Sequence, residues 1–285
     1  MPDLYLEFLG PPIVRTGSGA APVPASLQPF LAFLSLENER GCHRDRIIDC
    51  LWPYVSGEQG RRRLNTTVWR ARLLLGDRHR EAIVSTRAGY IALDRNVLEI
   101  DVEPTVNALS DVRRTAAAHG ESQALEELRA AVLVDARQFL AGNYDDWVVQ
   151  ARQRLELAVL KGLETLLDMA STPDEAIRWA RMLLRRDPLR EDAHRRLIRL
   201  YADAGRRADA LRQYETCVRA LREELGVDPL IETTLVAAAV REGIAPLPAK
   251  VADPRRALCA LREALNTCQV AVDEIELALT ALPPD

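Results

Sequence analysis

Residues with side chains suited to chemistry gather in one stretch. Arg61, Arg62 and Arg63 stand in a row, followed by Asn65, Thr66, Thr67 and Arg70. Guanidinium forks suit guanine edges and phosphates, hydroxyls suit phosphates, and threonine methyls suit thymine. From Gly60 to Arg95 nine arginines stand against Asp77, Glu81 and Asp94, a local balance of +6 in a chain whose net charge is −4. Such a distribution excludes binding of nucleic acid by the whole surface and leaves room for a local basic patch.

The rest of the sequence offers little for catalysis. No Ser/His/Asp constellation, phosphate-cradling glycine loop or metal-ligand cluster is visible, so no catalytic residue, cofactor or metal site is expected, and the chain does not read as an enzyme. Asp145-Asp146 and Glu223-Glu224 read as solvated acidic pairs, and His119 and His194 as surface residues. Five cysteines, Cys42, Cys50, Cys217, Cys259 and Cys268, are odd in number and form no C-x-x-C pair, the pattern of thiols used as small core residues in a reduced compartment. No run approaches the ~20 apolar residues of a membrane span. A cytoplasmic, nucleoid-associated location with no membrane contact is therefore expected.

The elements that would position the basic stretch follow from periodicity. Residues 4–9 partly alternate, 13–16 read as a second strand, and a turn-rich stretch follows through Pro24. Helical spacing then predicts helices over about 26–36, 44–52 and 61–75, the last closed by Gly76, with a loop over 54–60 before it. Short β segments at 82–85 and 90–93 make a hairpin around Gly89. Three helices followed by a hairpin form a winged helix, whose third helix usually enters the major groove.

In that third helix Leu64, Val68, Ala71 and Leu75 give the buried stripe. Arg62, Arg63, Thr66, Thr67 and Arg70 lie largely away from it, with Arg61 and Asn65 near its edges. Trp69 is expected to pack in a core or between domains rather than against a base. Arg87 and Tyr90 sit at the hairpin, placed to reach a DNA backbone or minor groove, although an ordinary turn arginine fits Arg87 as well. Three arginines at a helix start oppose the helix dipole unless an anion neutralises them. A solvated face is the plainer reading of any isolated basic helix; the strand–helix–helix–helix–hairpin order favours DNA.

The runs from Arg61 to Gly76, from Thr86 to Leu93 and from His43 to Pro53 together resemble the OmpR-type winged helix of the Streptomyces antibiotic regulatory protein (SARP) family. The resemblance continues to about residue 242. It implies a transcriptional activator that binds promoter direct repeats in double-stranded DNA, acts as a homodimer there, and recruits RNA polymerase holoenzyme. By the same analogy the segment Pro53, Tyr54, Val55, Ser56, Gly57, Glu58 and Gln59 would face the polymerase. No receiver domain precedes the winged helix in this sequence, so control by receiver phosphorylation is not expected.

After Pro104 no convincing strand remains. Ala176 and Ala210 stand 34 residues apart in similar surroundings, and Leu197, Tyr201, Gly205, Ala210 and Tyr214 match tetratricopeptide spacing. An earlier unit with Tyr144, Trp147 and Leu155 is expected to start the array and pack against the DNA-binding half. The fold class is therefore α+β, mainly α: a winged helix-turn-helix over 1–104, a tetratricopeptide-like activator domain over 105–244, and a C-terminal helix over 250–285. In that last helix Leu258, Leu261, Leu265, Cys268, Val272, Ile275, Leu279 and Leu282 keep a heptad seam, which would either cap the array or pair two copies. A protein-interaction module whose winged helix no longer binds DNA is the rival reading.

Overall fold

The computed structural model describes residues 4–17, 19–110 and 120–243, which fall into two compact units divided between Asp187 and Pro188. The expected C-terminal helix, with Cys259 and Cys268, and His119 lie outside the described residues.

The first unit opens with β1 (Leu4–Glu7), β2 (Ile13–Thr16) and β3 (Gly19–Pro22). Leu4 and Leu6 alternate inward along β1, and residues 10–12 turn the chain back. The helices α1 (Gln28–Leu36), α2 (Arg44–Leu51) and α3 (Gly57–Leu75) follow, with the two-residue strand β4 (Cys42–His43) before α2. A 3-10 turn (Asp77–Ala82) leads into the hairpin β5 (Ile83–Ser85) and β6 (Tyr90–Leu93), and β7 (Glu99–Ile100) closes the series. The strands form two sheets, ordered β3-β2-β1-β7 and β4-β6-β5. β7 runs parallel to β1, pairing Tyr5 with Glu99 and Leu6 with Ile100. The Asp101 carboxylate then accepts the amides of Phe8 and Leu9 at 2.8 and 2.7 Å, tying the end of β1 to the start of the next helix.

Three features were not foreseen. β3 lies inside the turn-rich stretch and is exposed throughout, so no burial pattern betrays it. β4 and β7 are two residues long, too short for alternation. And α3 begins at Gly57 rather than Arg61, so the expected loop shrinks and Gly57, Glu58, Gln59 and Gly60 become its first turn. Glu58 in that turn sets a negative charge at the positive end of the helix dipole, ahead of the three arginines. Gly60 is required by close packing: a Cβ there would stand 2.5 Å from Ile48 Cγ2 on α2.

Four further helices belong to the same unit: α4 (Val102–Ser110), α5 (Glu121–Ala131), α6 (Asp146–Met169) and α7 (Pro173–Arg186). Val148, Ala151 and Leu155 of α6 join the core that holds Phe8, Phe30, Ile47 and Leu64. Trp147 meets Phe33 of α1 edge-on, with centroids 5.4 Å apart. The start of α6 thus packs against the winged helix; Tyr144, expected in that contact, is exposed.

The second unit is a stack of α8 (Glu191–Asp203), α9 (Arg207–Leu225) and α10 (Ile231–Glu242). Leu197, Ile198 and Tyr201 of α8, Ala210, Cys217 and Leu221 of α9, and Val236, Ala237 and Val240 of α10 supply its core. Ala210 is the fourth residue of α9, as Ala176 is of α7, and both are buried. The 34-residue repeat therefore marks equivalent positions on successive hairpins. His194 corrects the expectation of a surface residue. It is 2% exposed, with Nε2 3.0 Å from the Pro188 carbonyl oxygen and Nδ1 2.7 Å from Gln213 Nε2. Cys42 and Cys217 are buried free thiols, each pushed up to about 11 by burial.

Candidate nucleic-acid interface

The stripe that seats α3 is wider than the sequence suggested. Gly60, Leu64, Val68, Ala71 and Leu75 are buried, and Thr67 is buried with them at 7% exposure. Thr67 donates its hydroxyl to the Arg63 carbonyl at 2.9 Å, so it faces the core and leaves the set of outward residues. Because Gly60 lets α3 close onto Ile48, the side of the helix that carries Thr67 is drawn inward too.

Arg61, Arg62, Arg63, Asn65, Thr66 and Arg70 are all exposed, as expected. They differ in how they are held. Arg61 and Arg70 have no ion-pair or hydrogen-bond partner among the described residues. Arg62 pairs with Glu58 one turn earlier, at 2.5 Å. The Arg63 guanidinium lies over the Trp52 ring, 5.1 Å from its centroid. Asn65 accepts a hydrogen bond from Arg44 of α2, a residue that sequence reasoning did not single out. Thr66 donates to the Arg62 carbonyl at 3.0 Å, which leaves its methyl and an oxygen lone pair facing outward. Arg63, Thr66 and Arg70 also line a hollow of about 460 Å³ with Leu27, Trp52 and Asp145.

The hairpin sets two further candidates beside this face. Arg87 is exposed at the bend and has no partner among the described residues. Gly89, at φ 85°, makes the bend, and a Cβ on it would stand 2.9 Å from His43 Nε2. Tyr90 is 42% exposed and meets His43 edge-on at 5.4 Å.

Two arginines counted in the basic neighbourhood serve the fold. Arg72 donates to the Ile83 carbonyl at 2.7 Å and to Ser85 Oγ at 3.2 Å, fastening α3 to β5. Arg95 donates to the carbonyls of Leu34, Ser35 and Glu37, closing the C-terminus of α1. Their charges add to the local field, while these side chains are held by backbone carbonyls.

Trp69 overturns its expectation. It is 58% exposed, as Leu73 is at 63%, and its indole N–H has no partner among the described residues. At 3.6 residues per turn Trp69, Arg62, Leu73 and Thr66 fall within about 60° of one another, at the centre of the outward face. Of the polymerase-facing candidates, Tyr54 is fully exposed, Pro53 and Ser56 are exposed and Val55 is half-buried, while Gly57, Glu58 and Gln59 are exposed in the helix. Among the described residues no group of side chains has the composition of a metal site, and no helix is long and apolar enough to cross a membrane.

The bacterial transcriptional activator domain matches residues 93–241. The regulatory protein AfsR of Streptomyces griseus is 29% identical over 205 residues, and its counterpart in Streptomyces coelicolor is 29% identical over 218. These matches cover 70% and 75% of this chain but 20% and 22% of the relatives, so the chain spans about a fifth of their length. Among solved structures, Mycobacterium tuberculosis EmbR in complex with a low-affinity phosphopeptide aligns with a TM-score of 0.62 at 23% identity, over 93% of this chain and 71% of that one. At that identity the likeness shows the fold, a mainly helical architecture with small sheets at its N-terminal end.

Proposed function

The chain belongs to the bacterial transcriptional activator domain family, as a transcription regulator of the SARP type, and on that premise we propose that it is a sequence-specific DNA-binding activator. The observation that carries this reading is the outward face of α3, where Arg61, Arg62, Arg63, Asn65, Thr66 and Arg70 stand exposed on a helix whose opposite side is locked into the core. Such a helix fits the major groove with arginine forks toward guanine edges and phosphates. Arg87 and Tyr90 on the hairpin fit a grip on the adjacent backbone. The functional division is a DNA-binding part over 1–104 and an activator part over 105–244.

Family membership supports the regulatory role, and the resemblance supports direct-repeat promoters, a homodimer on DNA and recruitment of RNA polymerase holoenzyme by the segment around Tyr54. That segment, from Pro53 to Gln59, is exposed apart from the half-buried Val55 and leads into the first turn of α3. A cytoplasmic, nucleoid-associated location accords with this role.

A gel-shift titration over a salt series, against DNA from upstream of the gene and its neighbours, tests the proposal beside an Arg62/Arg63/Arg70 triple-alanine variant. Salt-sensitive preference for one fragment, lost in the variant, is expected. Equal binding to every fragment and to random competitor would instead favour an interaction module. The exposed apolar residues Leu225, Leu230, Ile231 and Leu235 near the α9–α10 turn give that second reading its one specific support, since a helical array with such a patch can hold a protein.

A further inference from the structure

An exposed tryptophan and leucine at the middle of a basic helix face need an explanation. Trp69 and Leu73 are one turn apart, so their side chains are neighbours on the same line of α3. Arg62 and Thr66 continue that line toward the helix start, and Arg70 and Arg63 flank it. No ring, cation or hydrogen-bond contact occupies Trp69 among the described residues. An apolar pair ringed by cations and a hydroxyl suits a surface that is anionic at its edges and carries isolated methyl groups at its floor.

The major groove is such a surface. Thymine alone among the bases presents a methyl group there, beside the O4 acceptor, while phosphates line the rims. The indole offers a flat apolar face and one N–H donor, and the leucine offers methyls only. Arginine reads guanine and leaves thymine unread, so a face with arginines alone would be indifferent to A·T order. We propose that Trp69 and Leu73 read thymine methyl groups in the operator, which makes them specificity-determining residues beside the arginines. The inference rests on the DNA-binding reading of α3 given above. Four residues of helix advance about 6 Å, close to two base-pair steps of about 3.4 Å, so the pair addresses adjacent or next-adjacent positions. Trp69 stands seven residues, about 10 Å, beyond Arg62, which sets the thymine positions about three base pairs from the one Arg62 meets.

The experiment uses the full chain and a duplex enriched from a random-sequence pool by binding to it. Each thymine of that duplex is replaced in turn by deoxyuridine, which removes only the methyl, and affinities are measured at fixed salt. At one or two neighbouring positions the replacement should weaken binding about fourfold, the effect of one buried methyl-sized group. Trp69→Ala or Leu73→Ala should then bind the thymine and deoxyuridine duplexes alike, with unchanged circular dichroism, while Trp69→Phe keeps part of the preference. The replacements in the wild-type protein stand even where a variant misfolds. Selective binding in which every replacement is silent, or in which both alanine variants keep the full penalty, would overturn methyl reading and leave the DNA reader standing; the apolar pair would then fit a protein partner. A pool that yields no enriched sequence would overturn the DNA-binding proposal itself, and this inference with it.

Discussion

The guanidinium of Arg63 rests over the indole of Trp52, 5.1 Å from the ring centroid, and so the C-terminus of α2 props a charged residue of α3. Trp52 is only half-buried, and it ends α2 as that helix's C-cap. Its ring therefore holds Arg63 in one orientation before any ligand arrives. A cation–π contact of this kind contributes about 0.5–1 kcal/mol at an exposed site. Trp52→Ala should weaken DNA binding by roughly two- to fivefold, with Trp52→Phe losing less. A salt titration separates the two effects that Trp52 could have: a pure loss of preorganisation leaves the salt slope unchanged, whereas loss of the Arg63 phosphate contact lowers it by about one.

Glu58 opposes the proposed function at the same end of α3. It pairs with Arg62 and brings a negative charge close to where phosphates would lie. An exposed pair of this type stabilises the fold by at most about 1 kcal/mol, so it can be broken without unfolding the helix. Glu58→Gln is expected to strengthen binding to all duplexes by a few-fold, and Arg62→Ala to weaken it. If Glu58→Gln left affinity unchanged from low to high salt, Arg62 would not be a DNA contact.

How much of this was legible depended on the length of each signal. The order of strands, three helices and a hairpin emerged from helical phase, because Leu64, Val68, Ala71 and Leu75 repeat over about three turns. Two-residue strands such as β4 and β7 carry no period, and β7 is defined only by pairing with a strand more than ninety residues earlier. The outward face of α3 was largely readable, and its two errors share one cause. The phase of the apolar stripe suggested that Thr67 faces out, and residue type that Trp69 packs, whereas the contact of Gly60 with Ile48 fixes the roll of the helix. His194 was misread for a related reason: its partners, the Pro188 carbonyl and Gln213, come together only through the fold.

Gly60 offers a test of that roll. Alanine normally favours a helix over glycine by about 1 kcal/mol. Here the added Cβ would meet Ile48 Cγ2 at 2.5 Å, and the two helices would have to separate. Gly60→Ala should therefore destabilise the first unit by about 1–3 kcal/mol, read from denaturant unfolding. Pairing it with Ile48→Ala, which removes the clashing Cγ2, should cost less than the sum of the two single variants.

Arg95 separates structural arginines from those that face outward. Its guanidinium serves three carbonyls at the end of α1, across about sixty residues of sequence. Arg95→Ala should cost about 2–3 kcal/mol of stability, the scale of hydrogen bonds from a charged donor. DNA affinity per folded molecule should stay within about twofold of wild type, because no phosphate contact is removed. Because a single nitrogen, Nη2, meets all three carbonyls, Arg95→Lys, whose ammonium carries three N–H donors, should recover part of the stability. A fall in affinity at full foldedness would return Arg95 to the binding face.

The last prediction concerns the second unit. His194 has its pKa lowered by burial, which outweighs the hydrogen bonds and nearby acids that favour its charged form. The neutral ring satisfies both neighbours when Nε2–H donates to the Pro188 carbonyl and Nδ1 accepts from the Gln213 amide. Protonation would put a second N–H against that amide and bury a charge. Since the folded pKa lies below the ordinary value of 6.5, the unfolded chain takes up protons first as pH falls. The stabilisation from a neutral His194 is complete above about 6.5 and declines as pH drops through the interval down to the folded pKa. Hydrogen exchange of α8 to α10, followed from pH 8 to pH 5 and corrected for intrinsic rates, should show protection falling across that interval. His194→Gln should be less stable than wild type at pH 8 and flatter in its response to acid. A variant as pH-sensitive as the parent would assign the response to another group.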